Sequence, residues 1–348
     1  MDIRLAPLLM IEPVLPMTIT KSPQPSLIVH ELTDFDHFRH VFGAWSGQFQ
    51  QISRGRFRGT AAIYAGLCIR AFRAGTNQAI YTRGLDQKDL VTVIPITAAN
   101  ENTSWRGRKL AKGNLLIKGP DIEYYNQTAR NTVINALLVP LETFTTVAGS
   151  LADAMVGHKC SRSIAFRPSV EAMQKFQTSL DALMTLPGAI NRCDAEVMEQ
   201  ACLDTLSMCL SCSESDIKTL GVNRLELINA ALDLMIERFE GGLKSEDFCA
   251  ALQVNDRMLR RAFKQAFGLG PIAIYRQLRL NRLRHELKSA RGSGQTVAAL
   301  ANRCGFRRLG ALAAEYKILF DELPSETLGV RGHIGIQRAI RQEPATYE

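Results

Sequence analysis

Arg257, Arg260, Arg261 and Lys264 crowd into eight residues of a segment in which Leu259, Ala262, Phe263 and Phe267 recur at helical spacing. Turning the apolar set inward leaves the four cations facing outward. An arginine on such a face can grip O6 and N7 of guanine with two hydrogen bonds, worth about 1 to 3 kcal/mol of discrimination in a DNA major groove. Lys264, farther from the helix start, suits a phosphate. A solvated basic face is the plain alternative, so the surroundings must decide.

The surroundings contain the pattern twice. Phe248, Cys249 and Leu252 form the inner face of a short helix after Ser245, an expected N-cap followed by Glu246 and Asp247. Val254 closes a tight turn, Asn255 caps the basic helix, and Gly268 with Pro271 stops it. In the second copy Thr296 caps, Val297, Leu300 and Ala301 face inward, Cys304-Gly305-Phe306 turns, and Leu312, Tyr316 and Phe320 repeat the stripe before Pro324. Phe248 and Leu300 are 52 positions apart; Leu259 and Leu312, Phe263 and Tyr316, and Pro271 and Pro324 are 53 apart. Two short helices joined by a tight turn make a helix-turn-helix, whose second helix can enter the major groove. Residues 272–289 read as a linking helix about 27 Å long at 1.5 Å per residue, a strut for recognition helices in groove segments about 34 Å apart.

The same offset of 53 sets Gly310, Ala313 and Ala314 opposite Arg257, Arg260 and Arg261. The base-gripping side chains are therefore missing from the second copy. Arg307 and Arg308 stand at the entrance of that helix and Lys317 farther along, all suited to phosphates, while Ala313 is left for a thymine methyl.

Charge agrees with a polyanionic partner. The 348 residues hold 42 Lys and Arg against 34 Asp and Glu, a net +8. Residues 224–331 hold 18 basic and 12 acidic side chains, so +6 of that excess lies in the last third. The length suits about two domains, each burying a core without disulfide or metal staples. Eight cysteines are scattered along the chain, as in a reducing compartment. Cys209-Leu-Ser-Cys212 lacks a second pair and reads as ordinary buried thiols; His37 and His40 lack a third ligand, so no metal or cofactor is expected. No run of about 18 apolar residues could span a membrane. The N-terminus, broken by Pro7, Glu12, Pro13 and Pro16, lacks a signal peptide's basic region, which points to the cytoplasm and leaves Met1 and Met17 as alternative starts.

These features predict an α+β chain: an N-terminal β-rich, barrel or sandwich-like sensor domain, a helical connector, and a C-terminal all-α domain with two helix-turn-helix motifs. The expected divisions are a disordered 1–27, the effector-binding or dimerisation domain over 28–167, the connector over 168–219, the DNA-binding domain over 220–331 and a tail over 332–348. Phe35, Phe38, Phe42, Trp45 and Phe49 predict a helix within 28–52, and short β-branched runs between glycine breaks predict strands from Arg56 to Pro140. Tyr64, Tyr81, Trp105 and Tyr124 are either core residues or the lining of a ligand pocket.

From Arg224 to Leu328 the order of elements resembles the AraC/XylS family of bacterial transcription regulators. Gly305-Phe306-Arg307-Arg308-Leu309-Gly310, preceded by Leu280-Asn281-Arg282-Leu283-Arg284-His285-Glu286-Leu287, is most similar to the branch containing the ethanolamine-utilisation regulator, and Gln51 to Gly59 is similar to it more weakly. The resemblance implies a non-enzymatic transcription factor, an activator or a repressor of nearby operons, whose N-terminal domain binds a small effector or makes a homodimer. Its partners would be promoter DNA and RNA polymerase. The family's polar, Arg-bearing second recognition helix is absent here. Two other readings remain: a constitutive architectural DNA binder, and a DNA-associated enzyme or redox sensor using Cys209 or Cys212.

Overall fold

The computed structural model describes residues 25–36, 41, 48–101, 103–106, 108–149, 163–185, 190–211, 218–219 and 225–329. Thirteen short strands form among them: β1 Ser26–Leu32, β2 Gln48–Gln51, β3 Gly59–Ala65, β4 Arg70–Thr76, β5 Ile80–Leu85, β6 Leu90–Pro95, β7 Ser104–Trp105, β8 Arg108–Lys109, β9 Leu115–Lys118, β10 Glu123–Gln127, β11 Thr132–Pro140, β12 Ser163–Phe166 and β13 Lys218–Thr219. They pair antiparallel into an eight-stranded sheet, ordered β1-β3-β4-β11-β6-β9-β12-β13, and a five-stranded sheet, ordered β2-β5-β10-β7-β8. Phe72, Ile94 and Leu116 of the large sheet share a core with Ile80, Trp105 and Tyr124 of the small one.

The helix predicted within 28–52 is replaced at its start by β1, which pairs with β3 from Ser26 opposite Ala65 to Leu32 opposite Gly59. Leu27 and Leu32 are buried while Val29 is 63% exposed. At the other end Phe49 lies in β2, paired with Thr82 of β5, so backbone pairing replaces the predicted helix there too. Phe38, Phe42 and Trp45 lie outside the described residues, as do His37, His40, Cys212 and both chain ends.

Three helices cover the other face of the large sheet: α1 Leu141–Ala148, α2 Val170–Leu183 and α3 Arg192–Leu210. Met173, Phe176 and Leu180 of α2 and Leu203 and Leu206 of α3 join Val91, Ile117 and Leu137 in one core. The pair expected as a connector is thus packed onto the β-domain. Glu199 of α3 fastens it, accepting hydrogen bonds from Tyr64 Oη (2.8 Å), Leu67 N (2.7 Å), Cys68 N (2.8 Å) and Ile69 N (3.2 Å). Such charge-assisted bonds satisfy a buried carboxylate. Burial, with the neighbouring Glu199, pushes the Cys68 thiol up to about 12, far from a reactive thiolate.

The remaining elements are helical: α4 Leu225–Glu237, α5 Ser245–Leu252, α6 Asp256–Phe267, α7 Pro271–Ser289, α8 Val297–Arg303, α9 Leu309–Phe320 and α10 Pro324–Leu328. No described helix is long and apolar enough to cross a membrane. Each helix-turn-helix shares its core with the β-domain. Ile52, Ala79, Tyr81 and Tyr125 pack with Phe248, Leu259, Phe263 and Phe267 of the first; Leu32, Phe35 and Phe57 pack with Leu312, Tyr316 and Phe320 of the second.

Candidate DNA interface

The first motif is built from α5 and α6. Asp247 accepts a hydrogen bond from Lys244 N (2.7 Å), so the cap position is Lys244 and the expected cap, Ser245, is the first helical residue. Gln253 takes a left-handed φ of 52°, and Asn255 Oδ1 accepts from Met258 N at 2.8 Å to start α6. Leu259, Ala262, Phe263, Ala266 and Phe267 are buried. Arg257, Arg260, Arg261 and Lys264 are all exposed, as the apolar spacing predicts. They differ in one respect. Arg260 pairs with Asp256 at 2.6 Å, and its hydrogen bond draws the Asp256 carboxyl below its ordinary pKa. Arg257 and Arg261 have no carboxylate partner among the described residues, so their guanidinium groups are the freer pair.

The second motif follows the same plan with different chemistry. Thr296 Oγ1 caps α8 by accepting from Ala299 N (3.2 Å), and Phe306 N donates to Ala301 O (2.9 Å) across the turn. Gly305 is required there: its φ is 75°, and a Cβ would stand 2.7 Å from the Phe239 carbonyl oxygen. The α9 cap position is Arg308, which makes no side-chain cap. Arg307, Arg308, Gly310, Ala314 and Lys317 are exposed and Ala313 is half-buried, beside an uncovered Leu309 (42%) and Ile318 (51%). Glu315 hydrogen-bonds Arg276 of α7 and ties the second recognition helix to the strut. At 19 residues and 1.5 Å per residue, α7 is about 28 Å long.

One residue of the strut has a role its charge does not announce. Arg284 is buried and donates both terminal nitrogens to Asp34 of the β-domain at 2.8 Å and its Nε to Glu322 at 2.9 Å. Lys288 joins Asp34 and reaches Asp36 at 2.9 Å. Burial raises the Asp34 pKa, but the bonds and charges of Arg284 and Lys288 outweigh it and hold the carboxyl well below its usual range. Asn281 exchanges two 3.0 Å hydrogen bonds with the Gln51 backbone, and Gln51 Nε2 donates to Leu319 O at 2.7 Å. Position 284 lies between Leu280 and Leu287 on the buried stripe, and that signal could have identified it.

Within the β-domain, a cavity of about 80 Å³ between the sheets is lined by Phe72, Ile94, Trp105, Lys118, Tyr124 and Asn126, among others. Lys118 pairs with buried Asp86 at 2.6 Å and lies 4.6 and 4.5 Å from the Trp105 and Tyr124 ring centres. Trp105 Nε1 and Asn126 Oδ1 are buried without a hydrogen-bond partner among the described residues. Of the four aromatics considered from sequence, Trp105 and Tyr124 line this space. Tyr64 instead bonds Glu199, and Tyr81 packs edge-on against Phe267 at 5.3 Å.

Residues 248–329 match the helix-turn-helix domain family. The chain is 34% identical over 95 residues to the regulatory protein HrpB of Ralstonia nicotianae, covering 27% of this chain and 20% of that protein. It is 28% identical over 102 residues to a probable thc operon regulatory protein of Rhodococcus erythropolis, covering 29% and 31%. The chain thus spans less than a third of either relative. A solved AraC-type DNA-binding domain regulator from Chromobacterium violaceum is 28% identical over 33% of this chain and all of that one, with a TM-score of 0.29. This stretch of the chain is a helix-turn-helix domain.

Proposed function

We propose that the protein is a sequence-specific transcriptional regulator that binds promoter DNA through α6 and α9 and responds to a small molecule held by its β-domain. The observation that carries this is the pair of helix-turn-helix motifs on one strut, each with its apolar stripe buried and its cations exposed. Arg257 and Arg261 read bases, Arg260 does so in exchange with Asp256, and Lys264, Arg307, Arg308 and Lys317 hold phosphates. The domain divisions drawn from sequence, the ethanolamine-utilisation branch, contact with RNA polymerase and a homodimer belong to the same proposal.

The effector reading is supported by the cavity between the sheets. Its unpartnered indole N–H and amide oxygen are groups a bound molecule would satisfy, and leaving them unpaired costs about 1 to 3 kcal/mol each. Mixed aromatic walls with a few polar groups are typical of small-molecule sites. The thiol reading loses support because Cys209 is buried in α3. Sequencing the genomic fragments retained by the purified full chain tests the main reading. A shared motif with two half-sites about one helical turn apart is expected; retention without any common motif favours the architectural reading and overturns this one.

A further inference from the structure

A second cavity, of about 320 Å³, opens at the junction of the β-domain and the DNA-binding module. Its lining includes four cations, Arg56, Arg284, Lys288 and Arg291, and two carboxylates, Asp34 and Glu322. With Asp36, which reaches Lys288 from beside it, every carboxylate here is engaged with Arg284 or Lys288. Arg56 and Arg291 have no carboxylate partner among the described residues. They come from opposite sides of the junction: Arg56 from the loop between β2 and β3, Arg291 from the turn after α7.

Both are held in place by their backbones or stems. The Arg56 carbonyl accepts from Asn77 Nδ2 (3.0 Å) and Gln78 Nε2 (3.1 Å), and Gly55 N donates to Leu319 O (3.1 Å), which fixes the loop against α9. Arg291 Nε donates to Thr327 O at 2.8 Å. Arg54 and Arg58 flank Arg56 and are exposed. Two guanidinium groups facing one polar space match the oxygens of a phosphate better than a lone ammonium would. Only Phe57 and Phe320 give the lining apolar surface, so a long hydrocarbon tail finds little to cover it.

We propose that this cavity is a site for a small molecule bearing a phosphate group, gripped by Arg56 on one domain and Arg291 on the other. The site is separate from the space between the sheets and does not depend on the effector reading. A ligand touching both domains binds only their docked arrangement and stabilises it.

Thermal unfolding of the full chain in sodium pyrophosphate, against sodium chloride at equal ionic strength, tests this. A saturable rise in Tm is expected. Arg56→Gln and Arg291→Gln should each raise the half-saturating pyrophosphate concentration at least tenfold, while an Arg257→Ala, Arg261→Ala double variant responds like the parent. Arg56 is exposed, so its variant is expected to fold, and circular dichroism checks both. No saturable rise overturns the proposal, as does a rise that persists in both Gln variants but vanishes in the double variant, which would place the anion on the DNA face. Saturation by octanoate with no response to pyrophosphate also overturns the phosphate assignment. None of these readouts uses DNA, so failure here is distinguishable from failure of the regulator reading.

Discussion

The two helix-turn-helix motifs share a backbone plan and differ in nearly everything their surfaces offer. Both recognition helices end in a left-handed residue, Gly268 (φ 71°) and Asp321 (φ 58°), at positions 53 apart. Asn255 caps α6 with its side chain, whereas Arg308, in the matching position, makes no cap. The face of α6 is cationic; that of α9 is small and apolar between its flanking cations. Their anchorage differs as well. Both motifs meet the β-domain through rings, Tyr81 and Tyr125 against Phe267 in the first and Phe35 stacked on Phe320 in the second, but the second adds Gln51 bonded to Leu319 beside the buried ions around Arg284 of α7. In the reading proposed above, one copy keeps chemistry for reading bases, and the other adds chemistry for staying attached.

The anchorage contrast predicts the largest effect. Arg284→Met leaves Asp34 buried beside Lys288 without its bidentate partner, and breaking a buried ion pair from one side costs about 3 to 5 kcal/mol. Tyr81→Phe, at the ring-based anchor, removes a hydroxyl with no hydrogen-bond partner among the described residues and is expected to be nearly neutral. Urea unfolding of both variants measures the difference; equal losses would erase the distinction between the two anchors.

Acid should separate them further. The Asp34 carboxyl has a lower pKa folded than unfolded, so its contribution is present above the unfolded value, near 3.9, and is lost as pH falls below that. An Asp34→Asn variant should be less stable at pH 6 and lose less on acidification to pH 3. A parallel fall in parent and variant across this range would remove Asp34 as the source.

What was legible in the sequence follows from how local each signal is. The register of α5, α6, α8 and α9 depends on spacings of three and four within one helix, and duplication supplied an internal check through Leu259 and Leu312. The strands β1 and β2 depend on pairing with β3 and β5, some thirty residues away, so no local period announces them. The ion pair of Arg260 with Asp256 was within reach, being four residues apart on one helix. The partners of Arg284 were not: Asp34 is 250 residues away, and only the tertiary fold brings the two together. The same holds for Lys118 and Asp86, whose pairing across the β-domain no local pattern reveals.

Reading and holding are separated by the next largest effect. Arg257→Ala or Arg261→Ala should lose about 1 to 3 kcal/mol on the cognate duplex and less on scrambled DNA. Arg260→Ala should lose less than either, because Asp256 already competes for its guanidinium. Arg307→Ala should weaken cognate and scrambled duplexes alike and flatten the log-log salt slope by about one unit. If specificity falls with Arg307 and not with Arg257 or Arg261, the roles of the two helices are reversed.

The smallest expected effect tests the cap contrast within a single position. Arg308 begins α9 in an extended conformation (φ −112°, ψ 95°) and leaves the first N–H groups of the helix without a side-chain acceptor from the cap. A serine there has an oxygen within reach of those donors, as Asn255 does on α6, and a cap of this kind contributes about 0.5 to 2 kcal/mol. Because ψ at this position must rotate toward the usual cap value, Arg308→Ser should gain about 0.5 kcal/mol, at the lower end of that range. The same change removes a phosphate contact, so the salt slope should flatten by about one unit while stability rises. Opposite signs from one substitution would show that α9 gives up helix stability for backbone affinity at this position. If stability and DNA affinity fall together, Arg308 supports the fold in a way the exposed side chain does not disclose, and the contrast with Asn255 fails.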